Sequence, residues 1–202
     1  SQDVVAEIKA AWHAHGVVFF PDQDLDPGKL EGFTEAMGDY GHTEFVVPMD
    51  GHPNILELRR EPAETASHFG GGWHTDYTFQ DKPPAATILY GHIVPPVGGD
   101  TLFADVLAAW DHLPASLKAR IADLSSLQLF DYGGDYNRRT LEADAPADAP
   151  RCWHPLVRVD DDSGRKALFA HMHTTAAISG LADDEADALM AELAGFIADP
   201  AI

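Results

Sequence analysis

The chain has 202 residues, 45% hydrophobic and 23% charged, a length and composition that predict one soluble globular domain spanning residues 1–202. The formal net charge of −20, with only 13 Lys and Arg, argues against nucleic-acid binding because phosphate contacts need clustered basic residues. No apolar run approaches the ~20 residues of a membrane span, and the N-terminus does not resemble a signal peptide. The single cysteine, Cys152, excludes an internal disulfide and a cysteine-rich zinc site and favours a reducing, cytoplasmic setting.

Apolar periodicity and turn residues predict short strands decorated by helices. Asp26-Pro27 is typical of a helix start, with an N-cap carboxylate and a proline at the first helical position. The polar segment 133–149 is predicted to be a surface loop and a candidate lid. The predicted helices span residues 4–15, 27–37, 106–112, 114–123 and 183–198, and the predicted strands span residues 17–20, 54–59, 86–94, 101–104, 127–132, 153–159 and 166–170. This pattern favours a mainly β fold with flanking helices, a double-stranded β-helix of the jelly-roll or cupin type.

A candidate metal site lies in Trp73-His74-Thr75-Asp76, which follows three glycines. On a β-strand, residues two apart point to the same face, so His74 and Asp76 would present an imidazole and a carboxylate side by side. These are two of the three ligands in the 2-His-1-carboxylate set of non-haem Fe(II) oxygenases. The spacing alone is unspecific in a chain with 11 His and 33 Asp and Glu, and a hydrogen-bonded histidine on a solvated strand is the alternative.

Several blocks in chain order make the motif more specific. The chain resembles the taurine dioxygenase-like (TauD/TfdA) family of Fe(II)- and 2-oxoglutarate-dependent dioxygenases, which includes phenoxyacetate-herbicide and alkylsulfate dioxygenases. The matching blocks are Gly16–Pro21, Gly71–Phe79, Pro83–Tyr90, Val94–Asp105, His154–Arg158 and Ser163–Phe169. The resemblance implies a jelly-roll enzyme that uses Fe(II), 2-oxoglutarate and O2 to hydroxylate a small, acidic organic substrate, with release of succinate and CO2. It also implies that a homo-oligomer is to be expected, because dimers and tetramers are common in the family.

The resemblance assigns roles to individual residues. It makes His74 and Asp76 iron ligands, and it matches Thr101 to a threonine that binds a 2-oxoglutarate carboxylate. It places Tyr77 in the substrate pocket, with His42 and His173 near further pocket positions. For both of these histidines, an ordinary hydrogen-bonded role is an equally good interpretation.

The chain also departs from the family pattern. The family's second iron histidine and its 2-oxoglutarate-binding arginine come after the long C-terminal helix, and no such pair occurs in residues 1–202. We therefore expect the closing strands of the barrel to be missing here and the gene product to continue beyond Ile202, because unpaired barrel edges are unfavourable. Two alternatives remain open: a catalytically silent relative that acts as a binding module, and a cupin-like metalloprotein with other ligands, for example His171 and His173.

Overall fold

The computed structural model describes residues 1–41, 47–61, 63, 72–130, 145–161 and 163–202. These residues belong to two compact units. The first comprises Ser1–Ser67 with Pro84–Thr101, and the second comprises His68–Pro83 with Leu102–Ile202. In the described ranges, no helix has the length and apolar character needed to cross a membrane.

The first unit holds two helices and a short antiparallel hairpin. Its elements are α1 (Gln2–His15), α2 (Pro27–Met37), β1 (Pro48–Met49) and β2 (His52–Leu56). The predicted N-cap of α2 is confirmed, since Asp26 Oδ1 accepts the backbone N–H of Lys29 at 2.8 Å. Nδ1 of His52 lies 2.8 Å from Oε2 of Glu31, which ties β2 to α2.

The second unit holds the larger core. Its elements are α3 (Val106–His112), α4 (Ala115–Ile121), β3 (Ser125–Leu129), β4 (Arg151–Pro155), β5 (Val157–Val159), β6 (Lys166–Leu168), β7 (Thr175–Ile178) and α5 (Asp183–Ile197). Strand β3 lies between β4 and β7 in an antiparallel sheet, and β5 pairs with β6 in the predicted hairpin. The core is built from apolar side chains of α3, α4, α5 and these strands, including the fully buried Ile121, Leu156, Leu168, Leu189 and Leu193.

The predicted helices and the hairpin around Gly164 are confirmed, but the strand content is lower than predicted. The segments 17–20, 86–94 and 101–104 form no strand, and none of them pairs with another strand within the described ranges. An extended segment becomes a strand only when a neighbour takes up its backbone hydrogen bonds. Without such a neighbour, apolar residues in these segments are exposed, among them Phe19 at 84% and Ile93 at 89%.

The candidate lid, residues 133–149, falls mostly outside the described residues. The structure of small antiparallel sheets with helices agrees with the predicted combination of strands and flanking helices. The assignment of residues 1–202 to a single domain stays a prediction.

Candidate metal centre

His74 and Asp76 lie side by side where a turn begins and not on a β-strand, so the prediction that they share a strand is wrong. Residues 76–79 form the turn, in which the backbone N–H of Gln80 donates to the carbonyl of Tyr77 at 3.0 Å. Tyr77 has a φ of 55°, a left-handed value that residues other than glycine seldom adopt. Such values concentrate at functional sites, where the surrounding structure holds the backbone in place.

The pair has the geometry of two neighbouring metal ligands. Nε2 of His74 lies 3.2 Å from Oδ1 of Asp76, and the two side chains are 35% and 38% exposed. Nδ1 of His74 lies 2.7 Å from the carbonyl oxygen of Gly72, so Nδ1 is the donor there and Nε2 is the nitrogen that faces Asp76. Two donors bound at a right angle, each about 2.1 Å from one metal ion, would be about 3.0 Å apart. The arrangement therefore fits two adjacent positions on one ion.

The electrostatics of the pair favour a bound cation. The pKa of His74 is raised, first by its hydrogen bond to Asp76, with burial opposing the shift and the Gly72 carbonyl supporting it. A proton and a metal ion would compete for the same lone pair of Nε2. The carboxylate that now attracts the proton would also attract the metal.

Two further predicted site residues lie close to this pair. Tyr77 follows Asp76 directly, and burial together with the charge of Asp76 raises the pKa of its phenol. The imidazole of His173 packs against Gly72, where an added β-carbon would overlap Nε2 and lie 2.6 Å from both Cδ2 and Cε1. The structure thus brings His173 against the residue whose carbonyl orients His74.

The structure does not test the positions of the remaining predicted site residues relative to the pair. Thr101 is exposed and is the last residue of the first unit, whereas His74 and Asp76 belong to the second. His42 lies outside the described residues. Within the residues that the structure describes, no group of three or more His, Cys, Asp or Glu could hold a metal ion, and the alternative metal site at His171 and His173 stays a prediction.

A buried aromatic and imidazole cluster lies in the same unit and was not predicted from the sequence. The ring of Phe169 makes edge-on contacts with His154 at 5.4 Å and with His171 at 4.3 Å. Nε2 of His154 lies 2.9 Å from the carbonyl of Gln80, directly after the turn formed by residues 76–79. Nε2 of His171 is buried and has no hydrogen-bond partner among the described residues. The local sequence does not predict the contacts of His154 with Gln80 and Phe169, or the burial of His171, because tertiary packing of distant segments creates them.

The pKa of His171 should give the protein a measurable sensitivity to acid. Burial, followed by the nearby charges of His154, His74 and Arg158, lowers this pKa from 6.5 to about 3. Between these values the unfolded chain binds a proton that the folded chain does not, so the free energy of unfolding should fall by about 1.4 kcal/mol per pH unit as the pH drops below ~6.5. Denaturant unfolding of wild type and His171→Phe from pH 8 to pH 5 tests this. Plotted against pH, the free energies of unfolding of the two proteins should differ by a constant amount above pH 7 and converge or cross below it. A constant difference over the whole range would contradict the prediction.

Comparison with known proteins decides the relationship. The family model described as "Taurine catabolism dioxygenase TauD, TfdA family" matches residues 1–202. The chain belongs to the TauD/TfdA family. The predicted resemblance is confirmed, as are the enzyme class, an Fe(II)- and 2-oxoglutarate-dependent dioxygenase, and its two cofactors.

Two curated relatives show how much of a TauD/TfdA protein the chain covers. It is 29% identical to an (S)-phenoxypropionate/alpha-ketoglutarate-dioxygenase of Sphingobium herbicidovorans, over 96% of this chain and 70% of the relative. It is 32% identical to an alpha-ketoglutarate-dependent sulfate ester dioxygenase of Pseudomonas putida, over 96% of this chain and 65% of the relative. The chain thus spans about two thirds of the length of these relatives.

Solved structures agree with the family assignment. A taurine dioxygenase from Burkholderia xenovorans superposes with a TM-score of 0.78 at 29% identity, covering 99% of this chain and 66% of that one. A second, AAD-2 in complex with Mn(II) and N-oxalylglycine, has a TM-score of 0.69 at 25% identity, covering 97% of this chain and 70% of the other. The second structure is a metal complex of a relative with the same fold.

Proposed function

We propose that this chain supplies part of the active site of a dioxygenase that hydroxylates a small, acidic organic substrate and releases succinate and CO2. The observation that carries the proposal is the pairing of His74 Nε2 with Asp76 Oδ1 at 3.2 Å, in a chain whose family match spans residues 1–202. Because the chain covers about two thirds of its relatives, the activity of the whole protein is part of the proposal.

In this proposal each predicted residue has a defined task. His74 and Asp76 hold Fe(II), and Thr101 donates its hydroxyl to a carboxylate of 2-oxoglutarate. Tyr77, His42 and His173 contact the substrate. When bound, iron and 2-oxoglutarate supply the activation of O2, and the residues of this chain orient the substrate and exclude water from the reacting carbon.

The orientation of His74 is the best supported of these tasks. Its Nδ1 donates to the Gly72 carbonyl at 2.7 Å, which fixes the ring and leaves Nε2 to bind the metal. The left-handed backbone of Tyr77 turns the chain away immediately after Asp76. As a result the phenol of Tyr77 lies next to the ligand pair and is partly desolvated, as a pocket residue would be.

The substrate class and the fold rest on the relatives. Three relatives are named for phenoxypropionate, sulfate esters and 2,4-dichlorophenoxyacetate, and we extend their shared feature, a small organic acid or its ester, to this chain. The proposal also includes the double-stranded β-helix as the complete fold, one domain, a homo-oligomeric assembly and a cytoplasmic location, which suits Fe(II) and a single cysteine.

An anaerobic titration of the purified chain with Fe(II) and 2-oxoglutarate tests the proposal. We expect the visible metal-to-ligand charge-transfer band of the chelate, followed by succinate release when O2 and a suitable substrate are added. A first panel would contain a phenoxypropionate, an alkyl sulfate and a sulfonate. Absence of the band at millimolar metal and 2-oxoglutarate would contradict the proposal for this chain and favour the silent binding module.

A further inference from the structure

Gln128 lies in the middle of β3 with its amide in the protein interior. On β3 it is paired with Cys152 of β4 and with Thr175 of β7, and its exposure is 0%. A buried primary amide is costly unless its two acceptor and two donor positions are all used. Its contacts are therefore informative.

All four hydrogen-bonding positions of the amide are used. Oε1 accepts from the hydroxyls of Thr174 at 2.6 Å and Thr78 at 3.2 Å. Nε2 donates to the hydroxyls of Ser126 at 2.7 Å and Thr175 at 3.0 Å. Because every partner is a hydroxyl, which can donate or accept, either orientation of the amide satisfies the network.

The four hydroxyls lie on three different segments of the second unit. Ser126 belongs to β3 itself, whereas Thr174 and Thr175 follow His173 directly in the chain. Thr78 is the third residue of the turn that begins at Asp76, and its exposure is 0%. One amide thus joins the sheet to the turn of residues 76–79 and to the segment that follows His173, a candidate substrate residue.

We infer that Gln128 is a positioning residue that fixes the turn carrying Asp76 relative to β3 and β7. The inference rests on the proposed function, because it gives the turn its role as a metal-ligand segment. Gln128 acts on His74 and Asp76 through Thr78. The amide holds the turn from its buried side, while the metal would bind at its exposed side.

The positioning role of Gln128 has a physical basis, because the backbone conformation of the turn is unfavourable unless neighbouring contacts restrain it. Tyr77 has a left-handed φ of 55°, a conformation that persists only when neighbouring contacts hold it. Thr78 is the next residue, and its buried hydroxyl donates to Oε1 of Gln128 at 3.2 Å and lies 3.2 Å from Oγ1 of Thr174. Removing its hydroxyl frees the turn to relax, which would move Asp76 away from Nε2 of His74.

The test compares two substitutions, each of which removes one hydroxyl that is hydrogen-bonded to the Gln128 amide. Thr78→Val removes the contact to the turn, and Ser126→Ala removes a contact within the sheet, where the residue is equally buried at 0% exposure. Thr78→Ser keeps the hydroxyl and serves as the conservative rescue. Two readouts are taken on each full chain: the Co(II) dissociation constant from visible absorption, and the hydrogen-exchange rate of the Gln80 amide, which bonds within the turn.

We expect Thr78→Val to weaken Co(II) binding by about 10- to 100-fold, as loss of a residue that orients a ligand commonly does, and to speed exchange at Gln80 by about tenfold. Ser126→Ala should change both values less than about threefold, even if both variants unfold at a similarly lower temperature, and Thr78→Ser should recover most of the loss. Equal effects of Thr78→Val and Ser126→Ala would overturn the inference, because the network would then serve only the stability of the sheet.

The exchange readout separates failure of this inference from failure of the proposed function. If wild type binds no Co(II), the proposed function fails, and exchange at Gln80 decides about Gln128 alone. Faster exchange in Thr78→Val but not in Ser126→Ala would still support the positioning role. Unchanged exchange in Thr78→Val would overturn it, whatever the metal affinity.

Discussion

Replacing Asp76 by alanine should lower the Fe(II) affinity of the chain by more than about 100-fold and remove the charge-transfer band of the 2-oxoglutarate chelate. The expected effect exceeds the 10- to 100-fold loss typical of residues that only orient a ligand, because a ligand itself is lost. His74 and Asp76 lie 3.2 Å apart and are each more than one third exposed. Their pairing therefore contributes little to the folded state, and the variant should fold normally.

A matched control separates ligation from net charge. Asp81 is exposed and lies just after the same turn, so Asp81→Ala raises the net charge by the same amount without touching the pair. Fe(II) titration and thermal unfolding of both variants should show wild-type affinity in Asp81→Ala and wild-type stability in both. Retention of the band in Asp76→Ala would show that the metal is held elsewhere and would contradict the assignment of the ligand pair.

The proximity of His74 and Asp76 could be predicted from the sequence, but the backbone conformation around them could not. The motif Trp73-His74-Thr75-Asp76 predicts a neighbouring imidazole and carboxylate, and the structure confirms their proximity. The sequence argument relied on the alternation of side chains along a strand. The structure has no strand at these residues. Asp76 begins a turn in which Tyr77 has a positive φ, and no local sequence signal predicts that value for a tyrosine.

Buried polar contacts were the least predictable part of the site. Gln128 is separated from Thr78 by 50 residues and from Thr174 by 46, so no local pattern connects them. Helix α2 was predicted well because its N-cap and N-terminal proline are local signals, and α5 because its apolar periodicity is one. The apolar segment 86–94 was predicted as a strand from the same kind of signal, but a strand also needs a partner, and the local sequence does not contain one.

Substitution of Gly72 by alanine should destabilise the chain by about 1–3 kcal/mol, the usual cost of forcing extra atoms into a packed site. The new β-carbon would overlap Nε2 of His173 and lie 2.6 Å from two further ring atoms, so a shift of a few tenths of an ångström would not relieve the contact. Either the imidazole leaves its position or the Gly72 backbone moves. The carbonyl of Gly72 accepts from Nδ1 of His74, and a moved backbone would therefore also weaken metal binding.

A double-mutant cycle identifies which contact is responsible. In a His173→Ala background the clash is absent, so Gly72→Ala should cost little, and the coupling between the two positions should be about 1–3 kcal/mol in the free energy of unfolding. Gly195→Ala adds the same methyl group to α5, where nothing lies within 4 Å, and should be neutral or stabilise by up to about 1 kcal/mol because alanine favours helix. Denaturant unfolding of wild type, Gly72→Ala, His173→Ala, the double variant and Gly195→Ala measures these free-energy differences without any metal. If Gly72→Ala is equally costly with and without the His173 ring, the glycine is needed for its own backbone rather than for the imidazole. Coupling of the expected size would instead show that Gly72 lacks a side chain to make room for the His173 imidazole. The residue whose carbonyl orients His74 would then also position a candidate substrate residue.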